Sequence, residues 1–581
     1  MKDIFVNKFT DQALMVREHF LPEIEIFHTE RHSIISENTL DIINSAKSYK
    51  SHNAFEKLMH EYDLSKNEGV VLMCLAEALL RIPDNQTIND LIQDKIPLGD
   101  WREHIKNDNN LFVNISSMAF LVTGKIVKRN ELNEKELLKS FIKNVSEPIL
   151  RSAIKKGISI LAKQFIFEKD IQSASKLSTK LPKSSYAYSF DMLGEAAVTY
   201  GDAEVYFQSY KNAISAIGNS KRNQQNSISI KLSALHPRYE RNKLDLLNKE
   251  LLPKLFELIE MARGYKVDIC FDAEEADTLN LSIFLINQIL ESNFIDDEYC
   301  GFGVAVQAYQ QRSIFVLEFF SRFLNQINKN MNVRLVKGAY WDTEIKLAQE
   351  QGLTNYPVFT KKFVTDLSYL KCAHILKRSP NIFPQFATHN AYTIAYVRNL
   401  FGTNAYEFQK LHGMGDEIYH HFSNQENFKC RVYAPVGNYD DLLPYLVRRL
   451  LENGANTSFI HQLNKKDTNI SNLIESPISK LSRLENETID PPPKLFSYRK
   501  NSLGIDLSEE ENIKRYSELD SLRDVQAFSI IEGKEISSSL KVDIISPHLN
   551  FSKIGDAYFA DKKIISEALG SLKQYELTWK N

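Results

Sequence analysis

Between about residues 185 and 437 the chain repeats one pattern eight times: a short apolar run, then a segment patterned for a helix. The runs are YAYSFDMLGE (186–195), SISIKLSAL (227–235), KVDICFDAEE (266–275), GFGVAVQAY (301–309), VRLVKGAYW (333–341), PQFATHN (384–390), YEFQKLHGMG (406–415) and CRVYAPVG (430–437). Segments such as LLNKELLPKLFELIEMAR and QRSIFVLEFFSRFLNQIN lie between them. Near-continuous apolar runs suit strands buried on both faces, and parallel strands need a crossover helix to return. Eight such units predict an α/β fold, a closed parallel (βα)8 TIM-like barrel. An open doubly wound sheet is the alternative, but it takes fewer strands and a topological switch point.

Each run ends in polar chemistry rather than a plain turn. The ends carry Asp191 and Glu195; Lys231; Asp272 and Glu274; Gln307; Arg334, Lys337 and Trp341; Thr388, His389 and Asn390; His412; and Tyr433. In a barrel these positions face the mouth, where active sites are built. Singly, each has an ordinary explanation: Asp272 can cap a helix, Lys337 can cover apolar surface, His389 can be a satisfied histidine. Eight polar ends together are harder to assign to solvation.

The eighth unit, from Cys430 to Phe459, adds a helix with a marked face. Pro435 and Gly437 close its strand, Asp440 and Asp441 open DDLLPYLVRRLLE, and Asn453-Gly454 stops it. Tyr445, Arg448, Arg449 and Glu452 fall at i, i+3, i+4 and i+7 and share one side. Two planar guanidinium forks suit a small carboxylate, although an isolated arginine pair is more often a solvated helix face.

Residues before about 180 read as helical, in NAFEKLMHEY, EGVVLMCLAEALLRI and LNEKELLKSFIKNV, punctuated at Pro83-Asp84-Asn85 and at 95–99. No basic DNA-reading segment stands out there, and the net charge is only −3, so no nucleic-acid partner is expected. The five scattered cysteines form no C-x-x-C, which fits a reducing cytosol without disulfides or structural zinc. The first residues lack an apolar signal core, and the longest apolar run, VVLMCLAEALL, is short and carries Glu77. A cytoplasmic protein that touches a membrane surface without crossing it is the expectation. Gly301-Phe302-Gly303 and Gly413-Met414-Gly415 make neither a dinucleotide fingerprint nor a P-loop. Lys361 and Lys362 open a helix and could take a phosphate there. His420-His421 comes without a ligand set, so no metal is expected, and the G-x-S-x-G of a serine hydrolase is missing.

The motifs SFDMLGEAA, SIKLSALHPRYE, FDAEEAD, VAVQAYQ, VRLVKGAYWD, FATHNA, LHGMG and YAPVG followed by YLVRRLLENGANTSF resemble, in order, the proline dehydrogenase domain of bacterial proline utilisation A. The likeness runs from about residue 1 to 500 and includes LMCLAEALLRIPD and DKIPLGDW in the helical preface. It implies an FAD-bearing barrel that oxidises L-proline to Δ1-pyrroline-5-carboxylate and passes electrons to a membrane quinone. Carried over by position, Arg448, Arg449 and Lys231 would grip the proline carboxylate. Tyr433, Tyr445, Tyr340, Ala339 and Leu411 would wall the ring, and Asp272 would orient Tyr433. Arg334 and Gln307 would hydrogen-bond the flavin, with Trp341 packed on it. Lys337, Gly338, Lys361, Lys362, Thr388, His389, Asn390 and Glu452 would seat its ribityl, phosphate and adenosine parts.

The implied layout is a helical arm (1–60), a helical domain (61–180), the barrel (181–480), and a linker with a truncated start of an aldehyde dehydrogenase domain (481–581). Members of this type continue into an NAD-using aldehyde dehydrogenase half. Here only its opening is resembled, in LGIDLSEEENI and ISPHLNFSKIGDAYFAD, and no cysteine follows Cys430 to serve as its nucleophile. A homodimer and a separate aldehyde dehydrogenase polypeptide are the protein partners that the resemblance leaves open. Two other readings stand beside it. One is a Schiff-base aldolase using Lys231 or Lys337. The other is an inactive remnant or assembly subunit.

Overall fold

The structure, a computed structural model, describes residues 7–49, 87, 165–180, 186–220, 225–296, 299–422, 425, 428–437, 473–485, 489–517, 524–547 and 550–580. Eight parallel strands close a barrel in chain order. They are β1 Tyr186–Asp191, β2 Ser227–Ile230, β3 Asp268–Phe271, β4 Phe302–Gln307, β5 Met331–Val336, β6 Ile382–Ala387, β7 Glu407–Leu411 and β8 Cys430–Pro435. Closure is complete from Tyr186↔Cys430 to Asp191↔Pro435 between β1 and β8. Six strands fall inside a predicted run, and β5 and β6 each begin two residues before theirs.

An outer layer holds α2 Ile171–Lys180, α3 Tyr200–Gly218, α4 Leu252–Tyr265, α5 Leu279–Glu291, α6 Ser313–Ile327, α7 Trp341–Glu350, α8 Lys362–Lys377, α9 Ala391–Phe401 and α10 Asp416–His420, while α1 Leu21–Ser48 forms the arm. Local chemistry sets their ends. Thr199 and Asp202 form a reciprocal capping box on α3, and the Asn390 side chain accepts from Thr393 N at the start of α9. Lys266 and Asn328 end α4 and α6 in the left-handed conformation.

The strands are not apolar on both sides, as the runs suggested. Phe190, Ile228, Ile269, Val333, Leu335, Phe386, Phe408 and Val432 are buried in the main core with helix residues such as Phe207, Ile214, Leu317 and Phe320. Alternate residues point into the barrel and are polar: Ser189 and Asp191, Ser229 and Lys231, Arg334, Glu407 and Gln409, Arg431 and Tyr433. They survive burial because they bond one another across the barrel. Arg431 is held by Glu407 at 2.7 and 3.2 Å, and Gln409 Nε2 donates to Glu407 at 2.9 Å.

The arm buries Ile24, Ile35, Ile42 and Ile43 in the same core. Its Phe27 ring meets Tyr396 edge-on at 5.0 Å, and Glu23 binds Lys371 at 2.9 Å and Arg378 at 2.7 Å. His28 and His32, a helical pair that the sequence survey passed over, bond to each other at 3.1 Å.

The first compact unit runs to Ile505, and Asp506–Asn581 forms a second. The second holds the sheet β12 Lys541–Ser546, β13 Ser552–Tyr558 and β9 Val525–Ala527, the hairpin β10 Ser529–Ile531 with β11 Lys534–Ile536, and α11 Glu510–Ser517 and α12 Lys562–Lys580. Among the described residues no helix is long and apolar enough to cross a membrane.

Candidate active site at the barrel mouth

The strand ends converge on one buried cluster of charges. Lys231, just past β2, places Nζ 3.0 and 3.1 Å from the two carboxylate oxygens of Asp191 at the end of β1, and 3.9 Å from Asp272. Asp272 follows β3 and accepts from Arg334 Nη1 of β5 at 2.6 Å. Arg334 spreads its other donors to Gln409 Oε1 at 2.8 Å and Ser189 Oγ at 2.9 Å, so three strands besides its own fix it. The Tyr433 hydroxyl of β8 lies 2.7 Å from Asp191 and 2.8 Å from Asp272. The Arg334 guanidinium stands 5.2 Å from the Tyr433 ring centre. Two cations and two carboxylates thus surround one phenol.

The electrostatics follow from burial and neighbours. Burial disfavours the Lys231 ammonium, but Asp191 and Asp272 outweigh it and hold its pKa well above the ordinary lysine value. Arg334 is held above its ordinary value in the same way, against burial, by Cys270 and Asp272. Burial, then Asp191 and Asp272, push the Tyr433 phenol well up. The mouth therefore carries fixed cations and a neutral phenol at neutral pH. Beside it, burial lifts Glu274 to about 7, although Ser233 N donates to it at 3.1 Å.

Several residues expected at the site meet there. Lys231, Asp272, Arg334 and Tyr433 form the cluster itself. Tyr340 is near enough to Lys231 to favour its charge. Leu411 ends β7 in register with Tyr433. Gln307 ends β4, is buried, and accepts from Gln310 Nε2 at 2.7 Å. Ala339 is exposed on the loop after β5.

Other residues proposed for the cofactor have structural partners. Lys337 pairs with Asp366. Gly338 adopts φ +131, and a Cβ there would meet the Tyr309 ring at 2.5 Å, so only glycine fits. Trp341 donates Nε1 to Phe359 O at 2.8 Å. His389 Nε2 accepts from Leu411 N at 3.2 Å, Thr388 Oγ1 from Asn390 N at 3.2 Å, and Asn390 caps α9. Lys361 holds the carbonyls of Arg483 and Leu484 at 2.8 and 2.5 Å, so its ammonium braces that turn. Lys362 is exposed at the start of α8. Tyr445, Arg448, Arg449 and Glu452 lie outside the described residues.

The sequence reading noted Asp191 but gave it no role, and it passed over Ser189, Glu407, Gln409 and Arg431. A signal was present: polar residues two apart within an apolar run, as in Ser189/Asp191 and Glu407/Gln409, mark an inward face.

Comparison with known proteins agrees with the geometry. Residues 174–462 match a family model described as proline dehydrogenase, and residues 54–165 one described as the DNA-binding domain of proline dehydrogenase. The expectation of a chain with no nucleic-acid module does not hold against that second match. Its residues lie almost wholly outside those described. Bifunctional protein PutA of Klebsiella aerogenes is 44% identical over 490 residues, covering 80% of this chain and 37% of that protein. Proline dehydrogenase 1 of Bacillus subtilis is 27% identical over 309 residues, covering 52% of this chain and 90% of that protein. A crystal structure of a Bradyrhizobium japonicum proline utilization A mutant superposes with a TM-score of 0.68 at 35% identity, covering 90% of this chain and 53% of that one. The chain thus spans about two fifths of the length of the PutA relative and half of the solved structure.

Proposed function

Because this chain belongs to the proline dehydrogenase family, we propose that it oxidises L-proline to Δ1-pyrroline-5-carboxylate with bound FAD and delivers the electrons to a quinone. The observation that carries the reading is the Lys231–Asp191–Tyr433–Asp272–Arg334 cluster, which stands at the mouth of a closed barrel inside the matched span.

Lys231 supplies a fixed cation for the proline carboxylate, joined by Arg448 and Arg449 from the sequence that follows β8. Three cations on one carboxylate set the pose of the ring, which is catalysis by orientation. The same cations disfavour a second positive charge nearby, so they favour the free amine of bound proline. Tyr340, Ala339, Leu411, Tyr433 and Tyr445 enclose the ring and exclude water. Asp272, held by Arg334, keeps the Tyr433 hydroxyl in place.

The residues fit a flavin. Gln307 and Arg334 are buried polar groups on the neighbouring strands β4 and β5, two register positions apart, a donor set suited to an accepting heteroaromatic ring. When bound, the flavin supplies the hydride-accepting chemistry. Arg334 would bond its ring, with Trp341 beside it. Gly338, Lys337, Lys362, Thr388, His389, Asn390 and Glu452 would line the path to its phosphates and adenosine. The family reading adds a homodimer, contact with a membrane face, and a separate aldehyde dehydrogenase that takes the product.

A Schiff-base aldolase is disfavoured at Lys231. That chemistry needs a neutral amine, whereas Asp191 and Asp272 hold this one charged.

The test is the visible spectrum of the purified chain under anaerobic conditions. Flavin bands that bleach with L-proline but not D-proline are expected. No flavin after soaking with FAD would overturn the proposal in favour of the inactive remnant. Arg448→Met and Arg449→Met should each weaken proline binding by tenfold or more, about 1.4 kcal/mol, with flavin content unchanged. Normal proline affinity in either variant would remove the carboxylate assignment.

A further inference from the structure

Lys231 already holds a carboxylate. Both oxygens of Asp191 lie on its ammonium, at 3.0 and 3.1 Å, and the Asp191 side chain is 1% exposed. On the reading above, the substrate's carboxylate needs that ammonium. A carboxylate left in a buried site without its cation is far costlier than the neutral acid, so Asp191 cannot simply turn aside with its charge.

The surroundings provide for the neutral acid. The Tyr433 hydroxyl lies within hydrogen-bonding distance of both Asp191 and Asp272, yet a phenol has one proton to give. Asp272 has its own cation, Arg334 at 2.6 Å. With Asp191 protonated, one chain satisfies every group: the Asp191 hydroxyl donates to the Tyr433 oxygen, and Tyr433 donates to Asp272.

We infer that Asp191 is a built-in occupant of the substrate-carboxylate position on Lys231, and that a carboxylate ligand displaces it with uptake of one proton from solvent, which forms an O–H bond on Asp191 directed at Tyr433.

The groups facing Asp191 are Lys231 past β2, Tyr433 on β8, the Leu193 N–H at 3.1 Å and, by charge, Tyr210 from α3, with Asp272 past β3 and Arg334 on β5 next beyond Tyr433. Against burial, Asp191 and Asp272 keep Lys231 protonated well above neutrality, and Cys270 and Asp272 do so for Arg334, while burial itself keeps Tyr210 and Tyr433 protonated. None of the four exchanges a proton near pH 7; Glu274, which burial lifts to about 7 and which feels the Lys231 charge, is the competing acceptor, and the Asp191→Asn variant tells the two apart. The inference rests on the proline reading, because it takes Lys231 as the carboxylate grip.

The test uses tetrahydrofuran-2-carboxylate, a five-membered cyclic carboxylate with no amine and no proton of its own to exchange near neutrality. Its binding to the whole chain is measured by calorimetry in buffers of different ionisation enthalpy, between about pH 6 and 8. The expected result is uptake of about one proton per ligand, with Kd rising about tenfold per pH unit. Asp191→Asn, which keeps the shape but carries no charge, should bind with no proton uptake and a flat Kd over the same range. Binding to the wild type without proton uptake would overturn the inference and leave the carboxylate grip standing. Equal uptake by Asp191→Asn would also overturn it, by placing the proton elsewhere. No binding at any pH would overturn the grip on Lys231 and the inference with it. Should Asp191→Asn fail to fold, Glu274→Gln decides: uptake that persists there supports the inference, and uptake that disappears places the proton on Glu274 and overturns it.

Discussion

Arg334 shows what a single side chain does in this barrel. It is 3% exposed and reaches Asp272, Gln409 and Ser189, which stand on or just past three other strands. A planar fork with fixed donors serves three acceptors in directions set by its own plane, which the rotating ammonium of a lysine does not fix. Removing one partner of a buried pair leaves the other charge uncompensated, at a cost of about 3–5 kcal/mol. Arg334→Met should therefore lower unfolding free energy by about that much in urea melts, beyond any loss of flavin. The double variant Arg334→Met/Asp272→Asn should recover a large part of the loss, because it also removes the stranded carboxylate. A double variant no better than the single one would mean that Gln409 and Ser189, not Asp272, set the cost.

At the scale of elements, the arm helix α1 is held to α8 by one carboxylate. Glu23 binds Lys371 and Arg378 and stands 3.9 Å from His374. Partial burial raises its pKa, but the bonds and charges of Lys371 and Arg378 outweigh burial and lower it below the ordinary glutamate value. A depressed folded-state pKa means that stability is present above the unfolded value and is lost as pH falls through the folded one. Glu23→Gln should thus cost a constant amount at pH 6–8, about 0.5–1 kcal/mol for a solvent-screened pair. That difference should vanish in melts taken below the ordinary glutamate range. Burial also drives His374 down to about 4, so this histidine is neutral in the folded chain at pH 6–8 and takes up its proton only in the low-pH melts.

Elements were also the scale at which the sequence was most legible. The barrel strands overlap the predicted runs because their outward halves are apolar and turn residues bound them. Lys231, Asp272 and Gln307 were legible for a related reason: each is the polar residue that closes an apolar run, whereas Arg334 and Tyr433 stand inside theirs. The inward network was not, because Ser189, Gln409 and Arg431 make sense only once strands distant in sequence are set opposite one another. The partners of Lys361 were hidden for the same kind of reason. Nothing local to a Lys-Lys pair announces that a turn more than a hundred residues later will bring two carbonyls to it.

For the whole molecule, the contacts divide at Ile505, not where the barrel strands end. Tyr356 donates to Asp490 O at 2.7 Å, and Gly504 N donates to Gly352 O at 2.9 Å, so residues 490–504 are stitched to the loop after α7. The approach at Gly504 is closed to any side chain, since a Cβ there would stand 1.7 Å from Gln351 O. These contacts make the segment part of the barrel unit, and they predict two different outcomes for shortening the chain. A chain ending at Ile505 should keep the melting temperature of the barrel transition and its proline-dependent spectral change. A chain ending at Ser476 should lose several degrees, because it also removes the carbonyls that Lys361 holds. Gly504→Ala in the full chain should reproduce part of that loss, at about 1–3 kcal/mol for a forced backbone shift. Equal melting of all three variants by calorimetry would show that residues 477–505 ride on the barrel without stabilising it.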